Sequence, residues 1–459
     1  MITNTSIFKG KSPLDYRYSE PEMDKYLSEE GFTQYKLNVE MALIQSLVEN
    51  GLCDIETEVQ KACDDITTEE VYAEEDRIHH DIRALVNCIQ KRVSDEAKPY
   101  VHMTATSFDI SDTANAARYK DAVEMQLLPK LIELEEALIA LTRREAETVQ
   151  IGRTHGQHAV PITFGFAMGL YVERLGGCIE KIRSAADEMV GKFSGAVGAY
   201  NASDLFFDDP EGFEEQILEK MGLRPAGHST QIVPPESRTR LFSEICIMTS
   251  VLANLADDMR NLQRTEIAEV GEAFAKEQVG SSTMPQKRNP INFENVKSLW
   301  KIMEGHRVTL ALDQISEHQR DLTNSASGRI YVEIIGYSYS LVKRMIRTMG
   351  KLVVDKESME RNLAIQGEKI LSEPLYIILA SMGHPDAHEK VRSLNQLSVE
   401  QGIPLKALIQ GDSELSEYLG RMIDEQRAVL SDPYKYVGIA AKKARSTADR
   451  WEAKIPDWY

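Results

Sequence analysis

Apolar side chains recur at alternating spacings of four and three along residues 241–262. The series is Leu241, Ile245, Met248, Leu252, Leu255, Met259 and Leu262. On an α-helix such a series lines one narrow stripe, the seam of a long helix that packs lengthwise against others. A second seam runs through Leu127, Leu131, Leu134, Leu138 and Leu141. Pro129 predicts a bend at its start, because proline lacks an N–H and its ring crowds the carbonyl four residues back. Segments 163–190, 291–316 and 327–350 also read as helix, whereas 192–203, with Gly191, Gly195 and Gly198, reads as loop or short hairpin. Long helices with narrow seams pack nearly parallel, so an all-α fold with a central long-helix bundle is expected.

At 459 residues the chain exceeds one ordinary domain. Three helical domains are expected: 1–108; 109–350, opened by Ser111 or Asp112 as helix cap; and 351–459. Seams this long often continue into neighbouring subunits, which predicts a homo-oligomer. The alternative is a monomer that buries every seam internally.

Composition narrows the function. Apolar residues make up 42% of the chain, yet no apolar run approaches the roughly 20 residues of a membrane span. The start, Met1 to Ser6, is polar and lacks the apolar core of a signal peptide, so a soluble cytoplasmic protein is expected. Lys and Arg number 53 against 72 Asp and Glu, a net charge of −19, which disfavours nucleic acid or an anionic membrane as partner. A polyanionic substrate would need a locally basic pocket, for which Lys287/Arg288, Arg17, Arg320 and Arg329 are candidates. The cysteines, Cys53, Cys63, Cys88, Cys178 and Cys246, are scattered and odd in number, as expected of reduced thiols. His79/His80 and His155/His158 lack the further ligands a zinc site requires.

One loop concentrates chemistry. Gly280-Ser281-Ser282-Thr283-Met284-Pro285-Gln286-Lys287-Arg288-Asn289-Pro290 lies between helical segments, within a candidate flap at 276–290. Asn289 suits a helix N-cap and Pro290 the first turn, which places Lys287 and Arg288 just before a helix start. Two cations and a helix N-terminus would attract an anion.

This loop resembles the signature loop of the fumarase/aspartase superfamily, G-S-S-x-M-P-x-K-x-N-P, at every fixed position. Other segments resemble the adenylosuccinate lyase family within it: Ser12 to Tyr18, His79-His80-Asp81, His102, Thr106-Ser107-Phe108-Asp109, Gly152 to Ala159, Thr230-Gln231 and Glu317 to Ser325. The resemblance covers nearly the whole chain from about residue 12. It implies a homotetramer, active sites shared between subunits, and β-elimination of fumarate from a succinylated purine nucleotide. It implies no metal or organic cofactor, since the substrate's own carboxylate serves as electron sink.

The residue roles are those the resemblance implies. Ser281 is the base, with Ser282 as competitor, and Lys287 stabilises the dianion. Asn289, Met284, Thr154 and Gln231 contact the substrate. His155, paired with Glu294, is one candidate acid, and His80, near the leaving nitrogen, is the other. His79, Asp81 and His102 line the substrate, and Thr106 and Ser107 take the fumarate carboxylate. Arg17, Tyr18, Arg320, Ser325 and Arg329 hold the phosphate and ribose, the arginines as multi-donor forks.

Three departures touch none of the acid, base or lysine positions: Pro234-Pro235-Glu236 where a basic residue is common, Thr104 where glycine is common, and Tyr16 likewise. Two alternatives stay open: a sibling such as an argininosuccinate lyase or a cycloisomerase, and a non-catalytic helical scaffold.

Overall fold

The structure, a computed structural model, describes residues 11–273, 283–284 and 286–459. It is mostly helical. Helices that frame the site and its support are α1 (Glu29–Glu49), α2 (Thr68–Ile78), α3 (Asp81–Gln90), α4 (Ser107–Ala122), α5 (Leu128–Arg144), α6 (Phe164–Asp187), α7 (Glu236–Leu262), α8 (Ile291–Leu312) and α9 (Tyr331–Met349). Both seams are real. Leu241, Ile245, Met248, Leu252, Leu255 and Met259 are wholly buried, as are Leu127, Leu131, Leu134 and Leu138. Only Leu262, at the end of its helix, is partly exposed.

Two expectations at helix starts are corrected. The helix placed at Ser111 or Asp112 begins at Ser107 instead. There Thr106 occupies the N-cap and its N–H donates to the Asp109 carboxylate at 2.7 Å. The disturbance expected at Pro129 lies one turn earlier. Residues Val123–Leu127 form a π-helical turn, in which Leu128 donates to the Val123 carbonyl five residues back. A wider turn of this kind absorbs the carbonyl that proline cannot pair, so α4 and α5 run on without a break.

The chain divides into two compact units. Among the described residues, the first comprises those within 11–132, 177–253 and 296–344; the second comprises those within 133–176, 254–295 and 345–459. In the first, α1, α2, α3 and the start of α4 enclose a core that includes Leu37, Leu43, Ile82, Leu85 and Ile110. Tyr119 of α4, Phe242 of α7 and Tyr331 of α9 interlock, with ring centroids 5.3–6.4 Å apart. The parallel pair Val190–Gly191 and Arg224–Pro225 fastens the loop region after α6.

In the second unit, Leu375, Leu379, Val391, Leu394 and Leu405 form a C-terminal helical core. Arg143 of α5 pairs with Asp449 and Glu452 of the C-terminal helix Ala440–Glu452. An antiparallel hairpin, β1 (Val149–Thr154) and β2 (Gln157–Thr163), also belongs to this unit and is not among the predicted elements. No helix among the described residues is long and apolar enough to cross a membrane.

Candidate active site

The first unit carries most of the expected substrate contacts. His79 closes α2 in a left-handed conformation, φ 59°, which breaks the helix and lets α3 start two residues later. His80 then caps α3, its Nδ1 accepting the Arg83 N–H at 3.2 Å. With Nδ1 engaged in this way, Nε2 is the ring nitrogen left for other contacts. His79, His80 and Asp81 are all exposed.

His102 sits on a tight turn, with positive φ at both His102 (64°) and Thr104 (68°). Its Nδ1 lies 2.7 Å from Oε1 of the buried Glu40. Burial pulls the imidazole pKa down, but the Glu40 carboxylate more than offsets this and the net shift is upward.

The turn delivers the chain to Thr106 and Ser107 at the start of α4. Beneath them Asp109 is wholly buried with Lys192, whose ammonium also donates to the Gly195 carbonyl at 3.1 Å. Burial pushes the Asp109 carboxyl upward, while Lys192 and the N–H groups of Thr106 and Gly195 pull against it.

Gln231 and Arg320 meet directly: Nη1 of Arg320 donates to Oε1 of Gln231 at 2.9 Å. The guanidinium lies over the Phe108 ring, 3.6 Å from its centre. Tyr18 packs edge-on against Tyr337 of α9, and Arg17 is exposed beside it in sequence. Ser325 and Arg329 are exposed in the segment that leads into α9, where Tyr331 and Ser327 both donate to the buried Asp313 at 2.6 Å.

The second unit carries the other expected residues. His155 and Gly156 form the two-residue turn between β1 and β2, with φ 54° and 72°. Two positive φ values match the twist of a tight hairpin, and they lift His155 to an exposed tip beside Thr154. Gly152, on β1, has no room for a side chain: a Cβ there would lie 2.6 Å from the Val160 carbonyl.

The hairpin is pinned by Glu269, which is wholly buried. It receives Arg153 through two bonds at 2.6 and 3.0 Å, Gln150 at 2.7 Å and Asn362 at 2.8 Å. Burial and the adjacent Arg153 hold the His158 pKa below its ordinary value.

Lys287 and Arg288 precede α8 as expected and are exposed. The helix begins at Ile291, and its N-terminus is not open to an outside anion. The carboxylate of Glu272 accepts the N–H groups of Asn292 and Phe293 at 2.9 and 3.0 Å, and the Asn292 side chain at 2.7 Å. The chain itself thus takes these two backbone N–H groups, while the Lys287 and Arg288 side chains remain exposed. Met284 is exposed, Asn289 is partly buried, and Glu294 is exposed in the first turn of α8. Among the described residues, His155 and Glu294 are not hydrogen-bonded to each other. Ser281 and Ser282 lie outside the described residues.

Several supporting residues carry no local sequence signal. Glu40 lies 62 positions from His102, Lys192 83 positions from Asp109, and Glu269 116 positions from Arg153. Glu272 lies closer to the signature loop, and Phe108 stands inside the quoted Thr106-to-Asp109 motif, where nothing in the sequence marks its ring as a platform for Arg320.

Comparison with known proteins adds an independent line. A lyase family profile matches residues 15–303, and an adenylosuccinate lyase C-terminal profile matches residues 316–429. The adenylosuccinate lyase of Pyrococcus abyssi is 37% identical over 420 residues, 89% of this chain and 91% of its own. That of Pyrococcus horikoshii is 36% identical over 442 residues, 93% and 95% respectively. In fold, a fumarate lyase from Mesorhizobium aligns with TM-score 0.82 at 21% identity, over 94% of this chain and 98% of its own. A 3-carboxy-cis,cis-muconate lactonizing enzyme from Pseudomonas putida aligns with TM-score 0.82 at 24% identity, over 95% and 98%. Two profiles and two relatives thus agree over almost the entire length: the chain belongs to the adenylosuccinate lyase family.

Proposed function

We propose that this chain is a fumarate-releasing C–N lyase. It splits adenylosuccinate into AMP and fumarate, and succinylaminoimidazole-carboxamide ribotide into the free carboxamide ribotide and fumarate. The observation that carries this reading is the match at both ends, the general lyase profile followed by the adenylosuccinate-specific C-terminal one.

The chemistry follows from what the bond demands. A base removes the proton beside the carboxylate, and the electron pair moves into that carboxylate and then into the new double bond. The C–N bond breaks, and its pair stays on nitrogen, which an acid protonates. Ser281 is assigned as base, and its alkoxide requires Lys287 and a closed loop that excludes water. Lys287 and Asn289 meet the developing dianion. His155 on its hairpin, supported by Glu294, and His80 are the acid candidates. Thr106, Ser107 and Gln231 bind the succinyl part; Arg17, Tyr18, Arg320, Ser325 and Arg329 bind the nucleotide; Thr154, Ser282, Met284, His79, Asp81 and His102 complete the lining.

The working form is a homotetramer in the cytoplasm, with sites built from several subunits and domains at 1–108, 109–350 and 351–459. Val308 and Leu312, one turn apart and exposed on α8, support such association. No step needs a metal or organic cofactor.

The test is paired fumarate release from adenylosuccinate and argininosuccinate. Release from the first alone is expected; release from the second alone makes the chain a sibling lyase, and none from either makes it a scaffold. Within an active enzyme, Ser281→Ala is expected to lower kcat about a thousandfold with binding retained. An active Ser281→Ala with a dead Ser282→Ala moves the base by one residue.

A further inference from the structure

Phe108 and Asp112 stand one turn apart on α4, so their side chains leave the same face. Phe108 carries the Arg320 guanidinium on its ring. Asp112 accepts the Val233 N–H at 2.9 Å. Between these two anchors lies the Gln231–Arg320 hydrogen bond, backed by the Gln231 N–H on the Gln319 carbonyl at 3.3 Å. Neither 231–234 nor 316–320 is helix or strand, so no regular backbone ladder fixes these two side chains. They are set from α4.

Asp112 also faces the charges of Arg238, Lys192 and Arg320. Arg238 lies in the first turn of α7, its guanidinium 4.8 Å from the centre of the Tyr331 ring. Pro235 stands where the family pattern has a basic residue, and Arg238, three positions on, brings a guanidinium toward Asp112.

We propose that Asp112 is a positioning residue for the substrate site: its carboxylate pins 231–233 so that Gln231 and Arg320 are presented together. Phe108 sets the height of the guanidinium. This assignment rests on the chain acting as an adenylosuccinate-cleaving lyase.

Steady-state fumarate release by the full-length enzyme tests it. Asp112→Ala is expected to raise KM for adenylosuccinate about tenfold, with kcat within about threefold, the size of one lost hydrogen bond to a charged group. Asp112→Asn, whose amide oxygen still accepts the Val233 N–H, is expected to recover part of that rise. In a Gln231→Ala background, Asp112→Ala is expected to add less than about twofold, because the residue it positions is gone. An unchanged KM in Asp112→Ala, or the full rise in the Gln231→Ala background, overturns the positioning role. Where Asp112→Ala does not fold, Asp112→Asn and Phe108→Leu carry the test, and an unchanged KM in both overturns it equally. A wild-type enzyme that releases no fumarate overturns the functional reading instead.

Discussion

The N-termini of α4 and α8 start from the same physics and end differently. Each helix leaves its first backbone N–H groups without intrahelical partners, and each lies in a motif that reads as anion-binding. At α8 the carboxylate of Glu272 closes the N–H groups of Asn292 and Phe293. At α4 the acid Asp109 takes the N–H of Thr106, one residue earlier. Among the described residues, nothing takes the N–H groups of Ser107 and Phe108. The difference is where the chain places its own carboxylate. At α8 that carboxylate is itself the ligand of the helix end. At α4 the carboxylate is buried below, tied to Lys192, and the helix end is left open beside a histidine whose pKa is raised. On the proposed reading the fumarate carboxylate meets the backbone N–H groups at the α4 end, whereas Glu272 already takes those of α8 and leaves that side of the site to the side chains of Lys287 and Asn289.

The comparison can be broken from either side. Asp109→Asn would leave Lys192 as an uncompensated charge in the core, and a loss of about 3–5 kcal/mol is expected in denaturant unfolding. A loss under about 1 kcal/mol would mean that the pair does not hold the α4 terminus. Glu272→Ala removes three hydrogen bonds from a buried carboxylate. A loss of about 2–3 kcal/mol is expected, with Glu272→Gln nearer to wild type. A variant as stable as wild type would show that another group takes over the α8 terminus.

The third test concerns His102, on the turn before α4, whose imidazole pKa is raised by Glu40. Its pKa is raised in the folded state, so the Glu40 pairing contributes fully below about pH 6.5 and fades as pH rises through the folded value. Glu40→Gln is therefore expected to cost about 1–2 kcal/mol at about pH 6 and less at about pH 9. Imidazole titration by NMR should show the His102 midpoint falling in the variant; a midpoint that stays in place removes Glu40 as the cause.

Much of this was legible in advance, for identifiable reasons. The seams of α5 and α7 read correctly because apolar residues recur at alternating spacings of four and three and burial follows that period. The expected start of α4, at Ser111 or Asp112, falls about one helical turn after the observed one at Ser107. Ser111 and Asp112 are good capping types, but Thr106 with Asp109 three positions on makes the fuller capping box. The hairpin that lifts His155 carries a weak sequence signal, because Gly152 and Pro161 interrupt its strands and its turn uses a histidine at positive φ beside the usual glycine. The supporting acids Glu40 and Glu269 could not be read at all. Their partners come from distant segments, and an isolated glutamate in sequence looks like a solvated surface charge. Motifs name the residues that meet a ligand; the residues that hold those motifs in place are set by tertiary packing.

The smallest expected effect is also the most direct measure of the contrast between the two helix ends. Amide hydrogen exchange, followed with and without fumarate, reads both in one experiment. At Ser107 and Phe108 the N–H groups start without a protein acceptor among the described residues, so a bound carboxylate should slow their exchange. With fumarate at about five times its dissociation constant, the stabilisation is about 1 kcal/mol, a slowing of about sixfold. At Asn292 and Phe293 the acceptor is already in place, and fumarate should leave the rates unchanged. Glu272→Ala sharpens the contrast: with its own carboxylate removed, the α8 end should become fast in exchange and should then respond to added dicarboxylate. Slowing at 292–293 in the wild-type protein, with none at 107–108, would reverse the assignment of open and closed ends. It would also move the fumarate carboxylate from Thr106 and Ser107 to the loop before α8.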